Sequence, residues 1–199
     1  MGTNFAPLLA DLFLYSYESE FLDNMIRIGN RKPARSFNLS YRYIDDLIVF
    51  NNKRILEYVK DIYPSQLKIE KTNYSDNLSN YLDLTFTIER NGKLSTKLYD
   101  KCDDFNFHIV NFPFLSSNIP SGPSYGVYIS QLIRYARCCS YYNDFNDRHR
   151  MLVERLLSQG YQHNRLRNSF KKFYGKYQDL IEKYERSVSD KVGDSFPSG

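Results

Sequence analysis

The sequence predicts an α+β protein in which an antiparallel sheet with its helices is followed by an all-helical region. Two stretches show the alternation of apolar and polar residues that is typical of paired strands, one around Asp45-Asp46 and one around Asn91-Gly92. From Tyr128 onward the apolar residues recur at helical spacing instead. The order of these patterns places the sheet before the helical region.

The first part of the chain predicts a helix followed by a hairpin. Apolar residues recur at helical spacing from Pro7 to Gly29, and a proline in the first turn is favourable because an N–H there would lack a partner. Residues 30–35 form a predicted basic loop. Residues 37–43 then alternate between apolar and polar, and a second apolar run covers residues 47–50. The acidic pair therefore lies at the turn of a predicted hairpin.

The middle of the chain predicts a helix over 53–63 and a short strand over 67–71. Strands over 81–89 and 94–99 form a second predicted hairpin, because Asn-Gly between two apolar runs is a strong hairpin signal. Prolines make the next segment irregular, and helical spacing then returns in three pieces. Their predicted breaks are near Asn143 and at Gly160.

Charge is distributed unevenly along the 199 residues, whose net charge is +4. Residues 1–125 contain 14 Lys/Arg and 15 Asp/Glu, whereas residues 126–191 contain 13 Lys/Arg and 7 Asp/Glu. A basic region suggests an acidic polymer as partner, most plausibly nucleic acid. Surface lysines, however, occur on helices of any function.

The three cysteines indicate a reducing compartment. They show no metal-ligand spacing, and two of them are adjacent, which would strain a disulfide. No apolar run approaches the roughly 18 residues that a membrane span requires. We therefore expect an intracellular protein without a membrane partner.

The acidic pair needs an explanation, because adjacent carboxylates at a tight turn repel each other. The ordinary explanation is that Asp is common in turns, where its side chain hydrogen-bonds the nearby backbone. The other is a metal ion, since Mg²⁺ takes oxygen ligands and transfer of a phosphoryl group to a 3′-hydroxyl uses two ions about 4 Å apart. The apolar strands on both sides of Asp45 and Asp46 favour the metal. Two adjacent side chains cannot surround two ions, so a further carboxylate would have to come from another strand.

Tyr43-Ile44-Asp45-Asp46 resembles the Tyr-x-Asp-Asp box of reverse transcriptases, in sequence and in its hairpin context. Residues 1–10, Met-Gly-Thr-Asn-Phe-Ala-Pro-Leu-Leu-Ala, resemble the glycine loop and helix start that precede the box. Residues 80–84, Asn-Tyr-Leu-Asp-Leu, open a hairpin similar to the primer grip. Residues 98–101 and 132–137 resemble the region that joins palm to thumb in Penelope-like retroelements. The resemblance covers nearly the whole chain.

The resemblance implies an organisation in four parts. Residues 1–104 would be a partial polymerase palm with a palm-type antiparallel sheet. Residues 105–125 would be an irregular connection, residues 126–190 a helical thumb-like region, and residues 191–199 a disordered tail.

The resemblance also implies roles for single residues. Asp45 would be the direct ligand of the catalytic metal, and Asp46 its partner near the primer terminus. The other implied residues are, for nucleotide or template binding, Gly2, Thr3, Tyr43 and Lys71; for the primer grip, Tyr81, Leu82, Asp83 and Leu84; and for nucleic-acid phosphates, Arg134 and Arg137. Lys71 as a solvated lysine, Asp83 as a structural polar residue, and surface salt bridges for the two arginines remain open alternatives.

The implied activity is RNA-directed DNA synthesis with two Mg²⁺ ions. Its partners would be an RNA template, a DNA primer and deoxynucleoside triphosphates, in the nucleus or the cytoplasm. In this family the first catalytic Asp lies on a strand before the glycine loop, and this chain begins at that loop. We therefore expect residues 1–199 to be a fragment that is inactive alone. The competing hypotheses are a nucleic-acid-binding protein without chemistry and a structural protein whose acidic turn is incidental.

Overall fold

The structure of the protein is a computed structural model that describes residues 5–73, 75–105 and 110–184. Within these ranges the predicted α+β class is confirmed, with helices, a two-stranded antiparallel sheet and a three-stranded antiparallel sheet. The chain divides into two compact units, residues 1–73 and 74–199. The predicted tail over 191–199 lies outside the described residues.

The first unit contains one hairpin and three helices. In chain order its elements are α1 (Ala6–Arg27), α2 (Arg31–Arg35), β1 (Ser40–Tyr43), β2 (Asp46–Val49) and α3 (Ile55–Ile62). The predicted first helix, hairpin and third helix are confirmed. The basic loop expected over residues 30–35 is wrong, because these residues form the short helix α2.

Helix α1 begins and ends where its proline and glycine predict. Pro7 lies in the first turn. Gly29 has a φ of 86°, the left-handed conformation in which helices commonly terminate. The N–H of Asn30 donates to the carbonyl of Met25 at 2.9 Å, which completes a Schellman motif and satisfies an end carbonyl of the helix.

The core of the first unit lies between α1 and α3. Its buried residues and their partly buried neighbours are Val59, Ile62, Tyr63, Leu14, Tyr17, Phe21, Phe37, Ile55 and Tyr58. Phe37 leads into β1 and contacts the rings of Phe21 and Tyr58, with centroids 5.9 and 5.3 Å apart. The entry to the hairpin is therefore fixed to both helices.

The strand predicted over residues 67–71 is wrong. The segment from 64 to 73 forms neither helix nor strand. Leu67 and Ile69 are each 38% exposed, so the alternation seen there does not mark a buried face.

The second unit joins a three-stranded sheet to four helices. Its elements are β3 (Leu78–Tyr81), β4 (Leu84–Ile88), β5 (Leu94–Leu98), a 3-10 turn (Lys101–Asp104), α4 (Ser121–Cys138), α5 (Tyr142–Ser158), α6 (His163–Lys176) and α7 (Gln178–Glu182). The strands are antiparallel in the order β3-β4-β5. The hairpin around Asn91-Gly92 is confirmed, and Gly92 has a φ of 81°.

Several predicted boundaries in this unit shift. The single strand expected over 81–89 is two strands, because the chain turns at Leu82-Asp83. The irregular segment expected over 105–125 ends earlier, since α4 begins at Ser121. Pro123 is tolerated in the first turn of α4, where its missing N–H removes no hydrogen bond.

The core of the second unit lies among its helices and includes strand β5. Tyr128, Phe145 and Phe170 are completely buried, and Leu98 of β5 belongs to the same cluster. The edge of β5 is covered by the connection between α4 and α5. There the Ser140 N–H donates to the Thr96 carbonyl at 2.7 Å, and the Thr96 N–H donates to Ser140 Oγ at 2.9 Å. The sheet thus packs with the helices of its own compact unit, residues 74–199.

Two further findings concern the environment of the chain. In the described part of the chain, no helix has both the length and the apolar composition needed to cross a membrane. Cys102, Cys138 and Cys139 are free thiols. Burial raises the pKa of the Cys138 and Cys139 thiols, which makes them poor nucleophiles.

Candidate functional site

The acidic pair lies at the tip of the β1–β2 hairpin. Tyr43 pairs with Asp46 across the strands, so Ile44 and Asp45 form a two-residue turn. Ile44 has a φ of 55°, whereas Asp45 keeps a negative φ. A positive φ at the first central residue alone defines a type II′ turn, which normally has glycine there. A β-branched residue in this conformation is strained, and such strain is concentrated at functional sites.

The two carboxylates are accessible. Asp45 and Asp46 are both exposed. Neither carboxylate makes a hydrogen bond or ion pair with another described residue. Oxygen donors of this kind fit Mg²⁺, which completes its shell with waters and substrate phosphates. Among the described residues, no group of three His, Cys, Asp or Glu side chains that could hold a metal ion is present. The pair alone thus supplies fewer ligands than a complete Mg²⁺ site needs.

Arg42, on β1, anchors the turn to α1. Its Nη1 donates to Asp11 Oδ1 at 2.6 Å and to the carbonyl of Ile44 at 3.3 Å. Its Nε and Nη2 donate to the carboxylate of Glu18 at 2.7 and 3.3 Å, and Nη2 also donates to the Asp11 carbonyl at 3.2 Å. These contacts use every N–H donor of the guanidinium. The Arg42 side chain is 12% exposed and that of Glu18 25%, whereas Asp11 is 52% exposed, so only part of the anchor is shielded from water.

Tyr63, directly after α3, extends this network. Its hydroxyl donates a short hydrogen bond to Glu18 Oε1. Burial, reinforced by that hydrogen bond, raises the pKa of Tyr63 far above its ordinary value. Burial lowers the pKa of Arg42, but the hydrogen bonds to Glu18 and Asp11 together raise it further, so Arg42 stays charged. The network holds α1, β1 and the end of α3 together behind the turn.

The structure also describes Tyr43 and Lys71, two other residues that were expected at this site. Tyr43 is 57% exposed and lies opposite Asp46 in the strand pairing. Lys71 is exposed, in the segment after α3 that has no regular structure. The hairpin therefore brings Tyr43 together with both acids. Gly2 and Thr3 lie outside the described residues.

The residues expected in the primer grip form a second turn of the same kind. Tyr81 pairs with Leu84, so Leu82 and Asp83 are the central residues, and Leu82 has a φ of 52°. In this turn the Asp83 carboxylate forms a salt bridge, because Arg134 Nη2 of α4 lies 2.7 Å from Asp83 Oδ2. The salt bridge left open for Arg134 is thus present within the second unit.

A basic surface that sequence analysis missed lies on α6. This helix contains five Lys/Arg and no Asp/Glu, and all five are exposed: Arg165, Arg167, Lys171, Lys172 and Lys176. The opposite face carries the buried Leu166, Phe170, Phe173 and Tyr174. The absence of acids from residues 163–176 could have revealed it, but the basic region was considered as a whole.

Other arginines of the helical region have different surroundings. Arg148 pairs with Asp103, and Arg155 lies 3.7 Å from Asp100. Both are partly buried against the 3-10 turn. Arg137, expected to bind phosphate, is exposed and in no ion pair with a described residue. Among the described helices of the second unit, exposed Lys and Arg are therefore concentrated on α6.

Comparison with known protein families, with curated proteins and with solved structures finds no match to this chain.

Proposed function

We propose that this chain is the palm and thumb part of a reverse transcriptase, an RNA-directed DNA polymerase of a Penelope-like retroelement. The observation that carries the proposal is the turn after Tyr43. It exposes two adjacent carboxylates, unpaired among the described residues, at a strained two-residue turn that the partly buried Arg42 anchors. The turn at Leu82 has the same positive φ, so the exposure of both acids, and not the strain alone, favours a cation site.

The proposed chemistry is transfer of a nucleotide to a primer 3′-hydroxyl. Asp45 and Asp46 would hold Mg²⁺, Asp45 directly and Asp46 beside the primer terminus. When bound, two such ions would neutralise the triphosphate and activate the attacking hydroxyl. Tyr43, exposed next to the acids, would contact the nucleotide or template. Lys71 would assist the departing pyrophosphate.

The partners proposed are an RNA template, a DNA primer and deoxynucleoside triphosphates, in the nucleus or the cytoplasm. The turn at Leu82-Asp83 would act as the primer grip. Arg134 and Arg137 would approach nucleic-acid phosphates, and the basic face of α6 supplies the larger positive surface for the duplex backbone.

The second candidate function is nucleic-acid binding without chemistry. The acid-free basic face of α6 favours it, because that surface needs no metal to bind phosphates. The two candidates differ in what Asp45 and Asp46 do. In the second, their removal leaves every activity of the chain unchanged.

Primer extension on an RNA template tests the proposed polymerase. We expect no extension by these 199 residues alone, because one adjacent carboxylate pair cannot surround two ions. Extension should appear when they replace the corresponding part of a characterised reverse transcriptase. In that chimera, Asp45→Asn should lower the rate by about 10²- to 10³-fold, with a smaller loss for Asp46→Asn. Asp61→Asn, which changes an exposed acid of α3, is the matched control, and its rate should stay within a few-fold.

A binding assay separates the two candidates. Fluorescence anisotropy with a primer–template duplex should show affinity that falls steeply between about 50 and 200 mM salt. Changing Arg167, Lys171 and Lys172 to Gln should weaken binding, whereas the same change at Arg54, Lys60 and Lys68 of the first unit should have less effect. A folded chimera that binds duplex but extends no primer would favour the second candidate.

A further inference from the structure

A single arginine contacts the backbone of the acidic turn without contacting its acids. Arg42 Nη1 donates to the carbonyl of Ile44, and the same guanidinium is held by Asp11 and Glu18 of α1. The positive charge of Arg42 is therefore balanced by these two carboxylates. The carboxylates of Asp45 and Asp46 remain unpaired among the described residues.

The carbonyl that Arg42 contacts belongs to the central peptide of the turn, between Ile44 and Asp45. Rotation of this peptide interconverts type II′ and type I′ turns. The type I′ form requires a positive φ at both central residues, and Asp tolerates that conformation well. Ile44 offers no preference for type II′ of the kind that glycine would provide. The hydrogen bond from Arg42 to the Ile44 carbonyl opposes the rotation of this peptide.

The second turn lacks such an anchor. The residue that corresponds to Arg42 is Asn80, whose Oδ1 accepts a hydrogen bond from Thr85 Oγ1 at 2.7 Å across the strands. That turn is held by the pair between the Asp83 carboxylate and Arg134, and the Asp83 carbonyl also accepts a hydrogen bond from the Tyr99 N–H at 2.8 Å. A turn that must present free acids cannot be held in this way.

We propose that Arg42 is a positioning residue, which locks the central peptide of the Tyr43–Asp46 turn in the type II′ form and so fixes how Asp45 and Asp46 meet a divalent cation. This role rests on the proposed function only for the metal. The effect on the turn is a property of the chain alone.

NMR of the 199-residue chain tests the lock directly. The amide protons of the two central residues are close in a type I′ turn and distant in a type II′ turn. The wild type should show a weak amide–amide NOE between Ile44 and Asp45, and Arg42→Gln should make it strong. Adding Ile44→Gly to that variant should weaken the NOE again, because glycine followed by Asp favours type II′. Arg54→Gln, which removes an exposed pair with Glu57, is the control and should leave the NOE unchanged.

A folded Arg42→Gln variant that keeps the wild-type NOE would overturn the proposal. If that variant does not fold, Arg42→Lys decides, since one ammonium group cannot satisfy both carboxylates and the carbonyl together. A wild-type NOE in Arg42→Lys would likewise contradict the lock.

Binding of Mn²⁺, used as a probe for Mg²⁺, separates this inference from the proposed function. Arg42→Gln should weaken Mn²⁺ binding at the turn by about tenfold or more, and Ile44→Gly should restore it. If the wild type binds no Mn²⁺, the proposed metal role fails while the NOE still decides whether Arg42 locks the turn. If Mn²⁺ affinity is unchanged although the NOE changes, the link from Arg42 to the metal fails.

Discussion

Two turns in this protein share a sequence pattern and a backbone geometry but differ in whether their acids form a salt bridge. Tyr43-Ile44-Asp45 and Tyr81-Leu82-Asp83 each place a large apolar residue at a positive φ, 55° and 52°. In the second turn Asp83 is paired with Arg134. In the first, the arginine contacts the backbone, and both acids remain exposed.

Turn geometry alone therefore does not make a functional site. A strained turn must be stabilised by its surroundings, and the point of attachment determines what remains available for a ligand. In the second turn the Asp83 carboxylate is paired with Arg134, whereas the contact of Arg42 with the Ile44 carbonyl leaves Asp45 and Asp46 unpaired among the described residues.

The largest expected effect concerns the fold that carries the second turn. His149 is completely buried, stacks on Phe170 with centroids 4.5 Å apart, and lies 2.5 Å from the hydroxyl of Tyr128. Burial lowers its pKa to about 3, well below the roughly 6.5 of an unfolded histidine. As the pH falls between these values the unfolded state binds the proton first. The second unit should therefore lose about 2 kcal/mol of stability between pH 7 and pH 5.

Urea unfolding at several pH values, followed by amide signals of each unit, measures this loss. His149→Phe should flatten the pH dependence of the second unit, since carboxylates titrate mostly below pH 5. An unchanged slope in that variant would contradict the assignment to His149. The first turn should be unaffected by the substitution.

The two arginines should differ in their contribution to stability. Arg42→Gln should destabilise the first unit by about 1.5–2 kcal/mol, because it leaves the partly buried Glu18 without its charged partner, although Tyr63 still donates to Glu18. Arg134→Gln should cost at most about 1 kcal/mol, since its pair with Asp83 is exposed. Urea unfolding of each variant measures both values. Equal losses would remove the distinction between the two anchors.

The smallest expected effect tests the strain that the turns share. Ile44→Gly and Leu82→Gly should each change stability by about 1 kcal/mol or less, in the stabilising direction. Glycine relieves a left-handed conformation that costs roughly 1–2 kcal/mol, and its greater freedom in the unfolded chain offsets part of this gain. Asn51→Gly is the control, because Asn51 has a φ of 60° that asparagine tolerates. Clear destabilisation by either glycine would show that the turns are not strained.

Sequence patterns predicted those elements that depend on the backbone preferences of a few neighbouring residues. Pro7 and Gly29 mark the ends of α1, and Asn91-Gly92 marks a hairpin, because each residue type favours the required backbone conformation. The turn at Leu82-Asp83 could not be predicted in this way. It has no glycine, and its strained φ is maintained by contacts with distant parts of the chain.

Sequence patterns predicted the two acids of the candidate site but not the residues that anchor their turn. Asp45 and Asp46 were identified from their position between apolar strands. The contacts of Arg42 with Asp11 and Glu18 join residues 31 and 24 positions apart, and no local pattern specifies them. The basic face of α6 was missed because charge was averaged over the helical region instead of being assigned to one helix.

Our central proposal is that the first turn, and not the second, is a cation site for nucleotidyl transfer. Titrating the 199-residue chain with Mn²⁺ and recording amide signals tests it most directly, because a bound paramagnetic ion broadens the signals nearest to it. The account predicts broadening at Asp45 and Asp46, its loss in the Asp45→Asn, Asp46→Asn double variant, and sharp signals at Leu82 and Asp83. Equal broadening at both turns, or broadening that survives the double variant, would contradict it.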